Sequence, residues 1–142
     1  MSVEYSITEN LNTNILSLDK VQEIVKKTNL QFKSHRIHLD DTLSLKSFAD
    51  AIGTNTSYLS HVLNEVLNTS FTTLLNFNRI EEAKRILESQ AGCKSNSIDN
   101  LDVIAENCGF KSVSAFHANF KRETGMTPGQ YKKSLLEIQE KR

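Results

Sequence analysis

Ser57, Ser60, His61 and Asn64 stand at three- and four-residue spacing in a stretch whose other positions are largely apolar, and Val113, Ser114 and His117 stand comparably later in the chain. Hydroxyl, imidazole and carboxamide groups both donate and accept hydrogen bonds, which is the chemistry needed to read base edges in the DNA major groove. None of them has the two-pronged reach of arginine to guanine. Close by are groups suited to phosphate oxygens: Lys111, Lys121, Arg122, Lys132 and Lys133, with Asn55, Thr56 and Ser112 at expected helix starts. A polar face of this kind, taken alone, is an ordinary solvated surface. What raises it above that is the repeat in which it sits.

Phe48-Ala49 followed by Gly53, and Ile104-Ala105 followed by Gly109, spell one pattern twice, and a polar helix is expected after each. The alanine lets two helices cross closely, and the glycine four residues on takes the left-handed backbone that ends the first helix. Leu45 and Ala49 align with Leu101 and Ala105 at one offset, whereas Leu59 and Leu63 align with Phe116 and Phe120 at an offset larger by one. One residue has therefore been added in the second turn. The outline is two helix-turn-helix units, each presenting its second helix to a groove.

The elements that must hold these units follow from punctuation and periodicity. Leu18, Val21, Ile24, Val25 and Phe32 predict an amphipathic helix, read as a scaffold packed on the first unit because too few heptads are present for a coiled coil. In the connector KSHRIHLDD, His35 and His38 lack further metal-ligand partners and are expected to be solvated. Ser44 can cap the next helix, with Leu43 stapled to Phe48. Thr54 to Thr56 offer the turn and a second cap, and Leu59, Val62, Leu63, Val66 and Leu67 face inward. Phe71, Leu74, Leu75, Ile80, Ala83, Ile86 and Leu87 predict a long helix from about Ser70 to Ser89. At about 1.5 Å per residue it spans roughly 30 Å, close to the ~34 Å of one DNA turn. AGCKSNSIDN reads as a surface loop. Gly125 stops the second reading helix, and Thr127-Pro128-Gly129-Gln130 starts a last helix that docks through Tyr131, Leu135 and Leu136.

The expected fold is all-α: a polar tail over 1–14, a first helix-turn-helix subdomain with its scaffold helix over 15–69, a linker helix over 70–90, a second subdomain over 91–135 and a tail over 136–142. The 142 residues suffice for one or two small cores. With no run of eighteen apolar residues and no basic or apolar leader at the start, the expectation is a cytoplasmic chain without membrane contact. Cys93 and Cys108 could pair in principle, but Cys108 falls on an inward face and is expected as a buried thiol. Cys93, with only Lys94 near it, lacks the setting of a reactive thiolate. No phosphate loop, catalytic carboxylate pair or nucleophile-base spacing is present, so no catalytic residue, cofactor or metal is expected.

Lysine plus arginine equals aspartate plus glutamate, a neutral total that is unusual for an isolated DNA-binding domain. Its distribution is not neutral: Lys111, Lys121, Arg122, Lys132 and Lys133 against Glu123 leave an excess of four positive charges between Phe110 and Lys133. A modest phosphate-facing patch is compatible with that.

The ordered segments RIEEAKRIL, IAENCGF and FHANFKRETGMTPGQY resemble the DNA-binding domain of AraC/XylS-type bacterial transcription regulators. Arg79-Ile80, Ala83, Ile104-Ala105, Gly109-Phe110, Phe116, Phe120-Lys121, Gly125, Thr127-Pro128 and Tyr131 match the family pattern in register, over roughly Leu18 to Lys133. The resemblance implies a seven-helix, two-subdomain domain joined by a long helix. It further implies binding to promoter or operator duplex DNA through two helices in successive major grooves, attachment to a sensor or ligand-binding domain, and RNA polymerase as a further partner. Family members often carry arginine two positions after the apolar anchor of each reading helix, where this chain has His61 and Ala118. Losing such contacts, each worth on the order of 1 to 3 kcal/mol of discrimination, predicts weaker or differently tuned recognition in which Ser114 and His117 carry more of the second half-site. Histidines near phosphates would also make binding favour lower pH. The alternative reading is a helical protein-protein adaptor that has lost strong DNA affinity, which the neutral total charge suits.

Overall fold

The computed structural model describes residues 16–92 and 100–140, with side chains to Ile138. Seven α-helices and no strand occur among them: α1 (Leu18–Lys33), α2 (Leu45–Ala51), α3 (Thr56–His61), α4 (Phe71–Ala91), α5 (Leu101–Asn107), α6 (Val113–Thr124) and α7 (Pro128–Glu140). The all-α expectation holds. None of these helices is long and apolar enough to cross a membrane. The polar tail before Asn14, Cys93, Lys94 and most of the AGCKSNSIDN loop lie outside the described residues.

The chain forms two compact units, one made of residues up to Ile37 with Thr42–Leu74, the other of His38–Asp41 with the chain from Leu75 onward. The division falls inside α4. In the first unit, apolar positions spaced for one helix face meet from several elements: Val21, Ile24, Val25 and Phe32 of α1, Phe48 and Ala49 of α2, and Leu59 of α3 are all buried. Phe48 stands at the centre, its ring 5.3 Å from that of Phe32 and 5.6 Å from that of Phe71. Ser44 caps α2 in a reciprocal capping box with Ser47, as serine at a helix start should.

α3 differs from the simple amphipathic helix that the spacing of Leu59, Val62, Leu63, Val66 and Leu67 predicts. After His61 the backbone widens into a π-helical turn over Val62–Val66, closed by the Leu67 N–H donating to the Val62 carbonyl at 2.9 Å. All four of Val62, Leu63, Val66 and Leu67 are buried there. Asn68 then ends the element in the left-handed region at φ 52°, a conformation asparagine tolerates better than other side chains. The Thr69 N–H reaches back to the Leu63 carbonyl at 2.9 Å.

The second unit is built around Ile80, Ala83 and Leu87 of α4, Ile104 and Ala105 of α5, and Phe116 and Phe120 of α6, with Cys108 and Phe110 from the turn between α5 and α6. Tyr131 and Leu135 of α7 pack against this core, and the Tyr131 ring stands 5.3 Å from that of Phe120. Cys108 is fully buried, as its inward position predicted. Thr127 and Gln130 form the expected box at the start of α7, with Pro128 in the first helical position. α7 continues to Glu140, so the stretch expected as a tail from residue 136 is helical instead.

His38 is corrected most clearly. Expected to be solvated, it is buried in the second unit, with Nε2 4.0 Å from a carboxylate oxygen of Glu82, itself buried. Its segment is bonded to Arg79 of α4, whose Nε donates to the His38 carbonyl at 2.8 Å and whose Nη2 donates to the Asp40 carbonyl at 2.8 Å. Its guanidinium lies 5.7 Å from the centroid of the Phe110 ring. Burial pulls the Arg79 pKa below the usual arginine value, while Asp41 and Asp40 act against that pull. His35 is exposed, as expected.

Candidate nucleic-acid interface

The two helix-turn-helix turns are superimposable in their hydrogen bonding. In the first unit the Thr54 N–H donates to the Ala49 carbonyl at 2.9 Å and the Gly53 N–H to the Asp50 carbonyl at 3.1 Å. In the second, Phe110 N–H donates to Ala105 at 3.0 Å and Gly109 N–H to Glu106 at 3.0 Å. Gly53 and Gly109 take φ of 74° and 91°, the left-handed region open to glycine at no side-chain cost. The added residue of the second turn is Lys111, between Phe110 and the cap Ser112.

Each of α3 and α6 starts from a side-chain cap. Asn55, rather than Thr54 or Thr56, caps α3: its Oδ1 accepts from the Tyr58 N–H at 2.8 Å. Ser112 caps α6 by accepting from the Ala115 N–H at 3.1 Å. These bonds commit part of Asn55 and Ser112 to the fold.

Beyond the caps, the predicted base-reading side chains stand where solvent reaches them. Ser57 and Asn64 are exposed and Ser60 and His61 half-buried in the first unit, with Asn64 on the π-helical turn. On α6, Val113, Ser114 and His117 are exposed, while Phe116 and Phe120 of the same helix are fully buried. The His117 ring lies edge-on to Phe116, centroids 5.9 Å apart, which limits the imidazole's freedom. Leu59 anchors α3 and Phe116 anchors α6, so within each unit the polar row is held by a buried apolar residue of its own helix.

Among the cationic candidates, Lys111, Lys121, Arg122 and Lys133 are exposed and Lys132 is half-buried. Arg122 is not a loose cation: it donates to the Asn119 side chain and lies 3.9 Å from Glu123, and Asn119 in turn donates to the Ala115 carbonyl at 2.8 Å. Sequence reasoning missed the acidic surroundings of Lys111. An open cleft of about 350 Å³ is lined by Asp41, Asp102 and Glu106 together with Lys111, Ser112 and Val113. Asp102 and Glu106 lie one helical turn apart on the exposed face of α5, a signal present in the spacing. Asp41 comes from a remote segment and gives none.

Residues 48–134 match a family described as a helix-turn-helix domain. An uncharacterised helix-turn-helix-type transcriptional regulator of Staphylococcus aureus is 32% identical over 125 residues, which cover 88% of this chain and 15% of that protein. The chain thus spans only about 15% of the length of these staphylococcal relatives. A Bacillus subtilis regulator of the same type is 28% identical over 94% of this chain and 55% of its own length. Among solved structures, the C-terminal domain of AraT, a response regulator from Geobacillus stearothermophilus, has a TM-score of 0.63 at 26% identity, covering 80% of this chain and 84% of that one. The DNA-binding domain of AdpA, solved with a target DNA, shares the fold at a TM-score of 0.63 and 19% identity over 79% of this chain and 91% of its own.

Proposed function

The chain belongs to the AraC-type helix-turn-helix family of transcription-regulator DNA-binding domains, and on that premise we propose that it reads duplex DNA sequence with α3 in one major groove and α6 in the next. The observation that carries this reading is the duplicated turn: matching backbone bonds, a left-handed glycine and a side-chain cap, followed by a helix with solvent-reachable polar side chains, once in each unit.

In this reading Ser57, Ser60, His61 and Asn64 contact base edges of one half-site, and Val113, Ser114 and His117 those of the other. Lys111, Lys121, Arg122, Lys132 and Lys133 hold phosphates, with Asn55, Thr56 and Ser112 contributing near the helix starts. Phosphate contacts set register, and base contacts set sequence. A sensor or ligand-binding domain supplies the signal and RNA polymerase receives the output; the staphylococcal relatives devote most of their length to something other than the matched segment.

A protein-protein adaptor without DNA affinity is the competing reading, favoured by the neutral total charge and by histidine and alanine where the family often has arginine. Selection of bound duplexes from a random library separates the two. Enrichment of two sequence blocks with centres about 10 base pairs apart supports DNA reading, and recovery of no enriched sequence and no salt-dependent binding supports the adaptor.

A further inference from the structure

Gly109 is the more crowded of the two turn glycines. A Cβ built there would lie 2.5 Å from the His38 carbonyl oxygen, 2.9 Å from Arg79 Nε and 3.1 Å from the Leu39 carbonyl carbon. At Gly53 the nearest such atom is Lys27 Nζ at 3.9 Å, the end of a flexible side chain. The turns share their internal hydrogen bonds, so the difference is what presses on them from outside. At Gly109 that is a strap of four residues, His38–Asp41, which belongs to the second unit although the residues on either side of it in the chain belong to the first.

Arg79 holds the strap. Its guanidinium is a planar fork that gives two bonds to carbonyls two residues apart, at 2.8 Å each, while its face lies against Phe110, the residue immediately after Gly109. Arg79 is 8% exposed and donates to main-chain oxygens, so it is buried in the fold and turned away from any phosphate role. Two residues after Phe110 comes Ser112, the cap of α6. The path from Arg79 to the start of the second reading helix is therefore short and made of close contacts.

We propose that Arg79 is a positioning residue for α6: it clamps the His38–Asp41 strap onto the Gly109-Phe110 turn and so fixes the start of the second reading helix, whereas the uncrowded Gly53 turn leaves α3 outside this clamp. This rests on the DNA reading above only for its consequence, that the α6 half-site depends on the clamp and the α3 half-site does not.

Arg79→Lys is the informative substitution, because it keeps the charge but replaces the fork with a single point donor that cannot reach both carbonyls and stack on Phe110. In the free chain the expected result is roughly tenfold faster amide hydrogen exchange at Ala115 and Phe116, with Tyr58 and Leu59 unchanged. In selection from a random duplex library the variant keeps the sequence block read by α3 and loses most of the preference in the block read by α6. Unchanged exchange at Ala115 and Phe116, or equal acceleration in both helices, overturns the clamp, as does retention of both sequence blocks. Should Arg79→Lys not fold, Phe110→Leu removes the stacked ring while keeping apolar bulk and takes the same readings. If the unaltered chain itself selects no sequence, the DNA reading fails while the exchange comparison still decides for or against the clamp.

Discussion

The proposed division between base reading and phosphate holding is tested most simply at His61 and Lys121. His61 is half-buried at the end of α3, where the family often has arginine, and an imidazole can give a base edge only one hydrogen bond at a time. Lys121 is exposed on α6, and a lysine placed at a phosphate would supply charge alone. His61→Ala is expected to cut discrimination between selected and random duplexes by roughly tenfold, within the range a base contact is worth, while changing random-duplex affinity little. Lys121→Ala should weaken both alike. Affinities measured on both duplexes at one salt concentration check the split, and equal losses for both variants would refute it. Tyr131 gives a prediction of another kind. Its hydroxyl donates to Glu88 at 2.5 Å, and burial, reinforced by that bond and by the charges of Glu88 and Glu81, raises its pKa from 10.0 to about 12. A phenol whose folded pKa is raised stabilises the fold in its neutral form, so the contribution is intact below pH 10 and fades as pH rises through about 12. Urea midpoints followed from pH 9 to 12 should therefore fall more steeply for the unaltered chain than for Tyr131→Phe.

Among the elements, the second unit leans on one aromatic cluster. Phe116 is fully buried with its ring tilted against Phe110 at 5.5 Å and edge-on to Phe120 at 5.7 Å. Phe116→Ala is expected to cost about 3 to 5 kcal/mol, a large share of the stability of a small domain, and equilibrium urea unfolding measures it. A loss under 1 kcal/mol would mean that α6 is held by something other than this cluster. Elements of this kind were legible because their signals are local. Ser44, Ser112 and Thr127 as caps, Gly53, Gly109 and Gly125 as stops, and apolar residues at three- and four-residue spacing each act within one or two turns of chain. The cap of α3 was harder: Thr54, Asn55 and Thr56 can all cap, and the register of the turn selects Asn55. The π-helical turn was invisible, because the burial of Val62, Leu63, Val66 and Leu67 reads the same in a continuous α-helix. His38 was misread for the opposite reason: its segment packs in the second unit and is bonded to Arg79, 41 residues away, and no periodicity reports a bond of that range. The candidate base-reading residues were legible as solvent-reachable positions, whereas the acidic lining beside Lys111 depends partly on Asp41 of the strap.

For the molecule as a whole, electrostatics sets the expected affinity. The neutral total and the excess of four positive charges between Phe110 and Lys133 predict weak binding to random DNA with a real salt dependence. With Lys111, Lys121, Arg122, Lys132 and Lys133 each displacing one counterion, log affinity should fall against log salt with a slope of about −4.5. Isothermal or fluorescence titration on a random duplex across salt concentrations gives that slope, and a flat line favours the adaptor reading. Asp41, Asp102 and Glu106 beside Lys111 work in the other direction, so Glu106→Gln should tighten random-duplex binding slightly.

The proposed reading requires one chain to recognise two stretches of one duplex, each with its own helix. Duplex selection run side by side on the unaltered chain, His61→Ala and His117→Ala decides it. Two sequence blocks are expected for the unaltered chain, with His61→Ala blurring one and His117→Ala blurring the other. Both variants blurring the same block, or a single block to begin with, would refute it.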